Sequence, residues 1–462
     1  MLFNSLRFLY LFLPIAYVGF WALKGTAHRH IWLTVTGYVF YATWNHKFCA
    51  LMAFSTVVSY LAGLGMLQWR DPIQRRLCLV LPVTLDLLVL GLFKYGDFAL
   101  RSFSSLVRVM QPSYQLATMD LILPVGISFY TFHTITYIVD SYRGTIVPTR
   151  KFFEFACYVS FFAQLVAGPI VRFRQVEGDL ESLGEADRRS NLEAGFSFFT
   201  IGMVKKVLVA DTIAAVIDPA LENPAALSSL DAWLCMLGYT YQLYFDFSGY
   251  SDMAVGLGRL FGIRLPQNFN SPYKAVDIAD FWRRWHISLS TVLRDYLFIP
   301  LGGSRGSLAS TCRNILITMA LGGLWHGANW TFVVWGCYHG VLLVLYRLAG
   351  KTWDGLPVAL RRAGTFLLVV IGWVFFRSTS FQMAATLFHS MFAWRGGLEM
   401  AGRLGLVVAI GVAAIAAHTG PNTFELEHRW RPPMVFALAV LFLSSLVVIA
   451  GGRVTPFLYF QF

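Results

Sequence analysis

Two histidines carry the acid–base potential of this chain: His286, in Phe281-Trp-Arg-Arg-Trp-His286-Ile-Ser-Leu-Ser290, and His326, in Leu321-Gly-Gly-Leu-Trp-His326-Gly-Ala-Asn-Trp330. A neutral imidazole, with an ordinary pKa of about 6.5, accepts a hydroxyl proton near physiological pH. His326 follows an apolar run and stands between Gly322-Gly323 and Gly327-Ala328. Small residues on both sides let backbone approach a ligand closely, although the same pattern suits a histidine in a helix-packing contact. His286, bordered by Trp282 and Trp285, reads either as an interfacial anchor or as a functional group. The neighbouring Arg283 and Arg284 either snorkel to lipid headgroups or grip a phosphorylated cofactor, since a guanidinium fork matches phosphate oxygens. His339 lies thirteen residues beyond His326; on one continuous helix the two would be about 140° apart, so His339 reads as a packing residue or as one that supports the site from behind. Asp246 and Asp252, in Phe245-Asp-Phe-Ser-Gly-Tyr-Ser-Asp252, either line a substrate path or cap a helix end. No Asp, Glu or Cys joins the histidines at ligand spacing, so no metal is expected. H-E-x-x-H, G-x-S-x-G and the Walker A loop are absent from the sequence.

The elements that position these side chains are membrane helices. The 462 residues are 56% hydrophobic and 13% charged, against roughly 25% charged in soluble domains. Apolar stretches long enough for roughly 30 Å of hydrocarbon lie near 5–23, 48–67, 77–93, 121–139, 153–170, 194–210, 231–247, 313–349, 363–376, 404–418 and 434–450. They predict an all-α polytopic protein with about ten to twelve crossings and a single membrane-embedded domain over 1–462. The first stretch lacks a small-residue cleavage site and reads as a retained helix. The net charge of +12 is concentrated in short connections such as 68–76 and 347–362, which suits cytoplasmic loops facing anionic lipid. No basic stripe interleaved with aromatics points to nucleic acid. The six cysteines are scattered singly and read as small buried hydrophobes. Apolar residues over 277–299 recur at helical spacing and predict one amphipathic helix, interfacial or cavity-lining, ended by Pro300 and Gly302-Gly303. Pro and Gly interrupt the apolar tracts 123–130 and 162–170, which places broken helices inside protein or beside a cavity. Asp86 stands alone in an apolar run, as a functional acid or a buried ion-pair member.

The tracts LPVGISFYTFHTITYIVDSYRG, FFAQLVAGPIVRF, QLYFDFSGYSDMAVGLGRLFGIRLPQNFNSPY, FWRRWHISLSTVLRDYLFIPLGG, LGGLWHGANWTFVVWGCYHG and PFLYFQF resemble the membrane-bound O-acyltransferase family, most closely its bacterial alginate O-acetylase branch. The resemblance spans essentially the whole chain. It implies helices around a tunnel through the bacterial inner membrane, with the two family histidines falling on His326 and His286. In such proteins an acyl group passes from a cytoplasmic donor, here acetyl-CoA, to an extracytoplasmic polysaccharide, with periplasmic or membrane-anchored acetyltransferase partners. His326 would then be the general base. His286, Arg283, Arg284 and Trp325 would position donor or acceptor, Asn329 or Trp330 would be candidate oxyanion donors, and Asp246 and Asp252 would face the substrate path. No bound cofactor is implied beyond the acetyl-CoA substrate. The connections near 394–403 and 418–433 are short, leaving alginate, cellulose, peptidoglycan or another exopolysaccharide open as the acceptor. The competing function is a transporter or flippase without acyl-transfer chemistry, suggested by broken helices and intramembrane charge.

Overall fold

The computed structural model describes residues 1–166, 168–185, 187–394, 396–397, 404–452, 455, 457 and 458. Most of the 394–403 connection and most of PFLYFQF lie outside the described residues. Among the described residues the regular structure is helical, with no strand, and five segments are long and apolar enough to cross a membrane. The protein is an all-α, multi-pass membrane protein. Its chain forms two compact units, Met1–Gly195 with Leu257–Pro266, and Phe196–Gly256 with Gln267–Phe462.

The first unit contains α1 (Thr26–Asn45), α2 (Cys49–Gln68), α3 (Pro72–Leu90) and α4 (Ile127–Arg143). At about 1.5 Å per residue, α1 and α2 each reach about 30 Å, enough for one crossing. The apolar pattern did not predict α1, because His28, Arg29, His30, Thr34 and Thr36 dilute it. Several of these polar groups turn inward: His30 is buried and its Nε2 lies 3.0 Å from the Leu180 carbonyl. Pro72 at the first helical position and the Asp71 carboxylate accepting from the Gln74 amide start α3. Buried Asp86 accepts hydrogen bonds from Ser55 and Thr134, each at 2.7 Å, so hydroxyls satisfy this acid. The expected span over 153–170 is instead two short helices, Phe152–Ser160 and Phe162–Leu165, separated at Phe161. Neither can cross hydrocarbon alone.

The second unit takes in the end of α5 (Arg188–Met203) and its π-helical continuation Val204–Ala210, then α6 (Asp211–Glu222) and α7 (Ser229–Leu260) up to Gly256. There follow α8 (Ile278–Arg284), α9 (Ile287–Leu293), α10 (Leu308–His326), α11 (Trp330–Asp354), α12 (Val358–Arg377), α13 (Leu404–His418) and α14 (Pro432–Ala450). The apolar run over 313–349 is therefore a hairpin of two helices. Ser307 caps α10 and Asn329 caps α11 through their side-chain oxygens. The pair meets backbone to backbone. A Cβ on Gly323 would sit 2.2 Å from the Phe332 carbonyl oxygen, and one on Gly336 2.1 Å from that of Met319. Close glycine crossings of this kind draw membrane helices together by dispersion contact. Here the crossing brings His326, three residues after one glycine, against Trp335, just before the other.

Candidate active site

The helix expected over 277–299 is broken between Arg284 and Ile287, and His286 occupies the break in the left-handed region, with φ +43°. Such a conformation is uncommon for a residue with a Cβ and persists where surroundings impose it. The imposing element is the extended stretch before α8. Asn270 donates its backbone amide to the Arg284 carbonyl, and Ile287 donates to the Asn268 carbonyl, both at 2.9 Å. These two bonds straddle His286 and divert the backbone from helical geometry.

The Asn268 side chain also sets the imidazole. Its Oδ1 lies 3.1 Å from His286 Nδ1 and accepts from the Ser288 amide and hydroxyl, while its Nδ2 donates to Ser251 Oγ at 3.1 Å. An amide oxygen can only accept, so Nδ1 carries the proton and Nε2 keeps the lone pair. His286 lies outside the spanning helices and is fully buried, and burial lowers its pKa, which favours the neutral ring. Asn268 was not singled out from sequence. The signal available was the polar QNFNSPY tract, lacking helical periodicity, ahead of a histidine-bearing helix.

His326, the last residue of α10, is 4% exposed. Its ring centroid is 6.3 Å from that of His286, and the Trp325 ring touches both, at 5.2 Å from His326 and 5.9 Å from His286. Trp335 and Phe376 enclose His326 at 5.0 and 5.3 Å. The glycines around it admit protein rather than ligand: a Cβ on Gly322 would meet Leu293, and one on Gly327 the Phe332 ring. His339 is on the second helix of the hairpin, separated from His326 by Trp335, which lies 5.0 Å from each ring. It is fully buried among aromatic rings, in keeping with a packing role.

The other residues singled out from sequence have partners of their own. Arg284 Nε bonds Asp280 at 2.9 Å and its Nη1 bonds the Asn270 carbonyl at 3.2 Å; Arg283 lies 3.4 Å from Asp280 and 4.0 Å from Asp277. Asn329 Oδ1 caps α11 and its Nδ2 donates to the Thr379 carbonyl at 2.8 Å. Trp330 is half exposed. Asp252 pairs with Lys205 at 2.6 Å and Asp246 with Lys206 at 2.7 Å. Lys205 and Lys206, adjacent cations inside an apolar run, were overlooked in the sequence, although intramembrane charge is itself a signal. The structure thus gathers His286, His326 and Trp325, adds Asn268, Ser251 and Ser288, and gives Arg283, Arg284, Asp246, Asp252 and Asn329 salt-bridge or capping roles.

Residues 145–385 match the membrane-bound O-acyltransferase family. The chain belongs to that family. A probable alginate O-acetylase of Pseudomonas putida is 42% identical over the full length of both chains. A similarly described protein of Pseudomonas aeruginosa is 46% identical over 85% of this chain and 75% of its own. A peptidoglycan O-acetyltransferase of Helicobacter pylori is 37% identical over 86% of this chain and 80% of its own. The matched stretch includes both histidines and the α10–α11 hairpin, so this acyltransferase carries its buried imidazole pair inside the family region.

Replacing Asn268 with leucine should lower turnover about ten- to a hundredfold, the range expected when about 1–3 kcal/mol of buried hydrogen bonding is lost. Asn268→Asp, which keeps an acceptor for Nδ1, should recover part of the rate. Rates per mole of purified, monodisperse protein would check this; equal rates for Asn268→Leu and the parent would show that the Asn268 bond is dispensable.

Proposed function

We propose that this protein is an O-acetyltransferase of the bacterial inner membrane that moves acetyl from cytoplasmic acetyl-CoA toward a hydroxyl of an exported polysaccharide, with His326 as general base. The observation that carries the reading is the buried imidazole pair in a chain of this family, with His286 held in one tautomer. At 6.3 Å between ring centroids, both imidazoles can reach one substrate oxygen. His326 takes the acceptor hydroxyl proton as the oxygen attacks the thioester carbonyl. The carbon–sulfur bond then breaks, the proton passes to the thiolate, and an acetyl ester and a free thiol leave. Chain 1–462 acts as one catalytic domain in this reading. The acceptor is a polysaccharide such as alginate, cellulose or peptidoglycan, reached directly or through a periplasmic or membrane-anchored acetyltransferase partner.

The donor route is supported by a cavity of about 390 Å³ lined by residues including Trp282, Arg294, Phe298, Ser304, Met319 and Arg347. The basic stretch expected as a connection is helical: Arg347 and Lys351 lie toward the end of α11, and Arg361 and Arg362 near the start of α12, on either side of the short 355–357 turn; positive charge flanking a short connection favours the cytoplasmic face. From that end the cavity reaches Trp282, whose ring is 5.8 Å from Trp335, and Trp335 in turn covers His326. Arg294 and Arg347 in its lining suit the donor's phosphates, and its apolar walls suit the thioester arm.

The test is transfer of labelled acetyl from acetyl-CoA to polysaccharide fragments by reconstituted protein, supplied with partner subunits where required. Ester-linked label is expected. Met319→Trp, which fills the cavity, should raise the donor KM roughly tenfold, equivalent to about 1.4 kcal/mol of binding. Label crossing the bilayer with no ester formed would overturn the enzyme reading in favour of transport.

A further inference from the structure

We infer that Phe457 is a positioning residue for His286, and that a buried ion cluster pins the segment bearing it behind the candidate site; the inference rests on the role given to His286 above. Lys205 and Lys206 sit in the π-helical continuation of α5 and point to different partners. Lys205 reaches Asp252 and Thr423, at 2.6 and 2.8 Å. Lys206 reaches Asp211 and Asp246, both at 2.7 Å, with the lysine and both carboxylates almost fully buried. This reach depends on a backbone-to-backbone crossing, where a Cβ on Gly249 would sit 2.7 Å from the Gly202 carbonyl oxygen and 2.9 Å from the Lys206 amide nitrogen.

The cluster grips the chain on both sides of Phe457. Lys206 Nζ donates to the Thr455 carbonyl and hydroxyl oxygens at 3.2 Å, and the Thr455 hydroxyl donates to Asp211. Asp246 accepts the Leu458 amide at 3.0 Å. Between these anchors Phe457 is 1% exposed. Its ring stacks on Tyr250 at 4.7 Å and lies 5.7 Å from Phe247. Phe247 in turn meets the His286 ring edge-on, at 4.7 Å and 90°.

His286 is therefore held from two directions. Asn268 fixes one edge of the ring by hydrogen bonding, and Phe247 fixes the ring by contact. Side chains in a close-packed interior move when a neighbour is truncated, so removing the Phe457 ring opens space into which Phe247 can turn. A displacement of about 1 Å at a reacting group can cost about a hundredfold in rate. Asp246 and Lys206 thus acquire a part in the site without touching substrate.

The experiment compares purified Phe457→Ala, Phe457→Leu, Phe247→Leu, Phe247→Leu/Phe457→Ala and His286→Ala for acetyl transfer per mole of monodisperse protein. Phe457→Ala should lower kcat about tenfold, which is about 1.4 kcal/mol in the barrier, with donor and acceptor KM unchanged. Phe457→Leu, which refills most of the volume, should restore most of the rate. The double variant should be about as slow as the slower single one, because contacting residues do not add independently. Parent-like kcat in Phe457→Ala, with His286→Ala inactive, overturns this inference alone. A fully active His286→Ala overturns both the inference and the role of His286. A shift in KM at constant kcat also overturns the inference, since it would place Phe457 in binding.

Discussion

His326→Ala should lower acetyl transfer by about 10²–10⁴-fold, the contribution usual for a positioned general base, while the protein still accumulates in the membrane. The ring is buried against Trp325, Trp335 and Phe376, so alanine leaves a cavity as well as removing the base. His326→Gln separates the two effects, because it keeps most of the volume and a hydrogen-bonding end but cannot take up a proton near neutrality. Both variants should be inactive, and the glutamine protein should retain more of the parent's thermal stability. Polysaccharide O-acetyl content, measured beside membrane protein level, checks the outcome. Normal acetylation in either variant would sink the general-base assignment and return His326 to the packing role that its glycine-rich surroundings also allow.

Lys206→Met should be the most disruptive single change outside the histidine pair, and its effect should fall on folding. It leaves Asp211 and Asp246 facing one another in the interior without the ammonium that both contact at 2.7 Å. Breaking a buried ion cluster by removing one partner typically costs about 3–5 kcal/mol, because the remaining charge is uncompensated. That is a large fraction of the stability of an ordinary protein, about 5–15 kcal/mol. The expected result is a sharp loss of monodisperse protein after detergent extraction and a lower apparent unfolding temperature. Lys206→Met combined with Asp211→Asn and Asp246→Asn should recover much of the loss, since no buried charge is then left unpaired. Lys205→Met should be milder, because Lys205 is 15% exposed and faces one carboxylate. Parent-like yield from Lys206→Met would show that the cluster does not hold the fold.

These expectations depend on very different amounts of sequence information. The membrane class and the helical fold were legible from composition, because a segment that crosses hydrocarbon must be apolar and must satisfy its backbone hydrogen bonds internally. Pro72 at the start of α3 and the caps Asp71, Ser307 and Asn329 are also local features. The capping hydrogen bonds that these side-chain oxygens accept reach only two or three residues along the chain. The family tracts marked His286 and His326 as the residues to examine.

Other features could not be read along the chain. Periodicity over 277–299 fits one continuous helix, yet the backbone breaks at His286 because Asn268 and Asn270 bond across the break. The α1 helix was missed because its polar residues are partly satisfied inside the fold, as with His30 and the Leu180 carbonyl. Asp246 and Asp252 read along the chain either as lining a substrate path or as helix caps, and nothing in their neighbourhood pointed to their partners Lys206 and Lys205, 40 and 47 positions earlier.

Hydrophobicity, capping and motif identity are local properties, so the order of residues was enough to mark an α-helical membrane protein resembling O-acyltransferases and to point to two imidazoles. The tautomer of His286, the closeness of the two rings, and the pairing of the lysines with the aspartates came from the fold. Each of these depends on which distant segment lies within about 3 Å of a buried polar atom, a pairing that burial makes obligatory and that spacing along the chain does not encode.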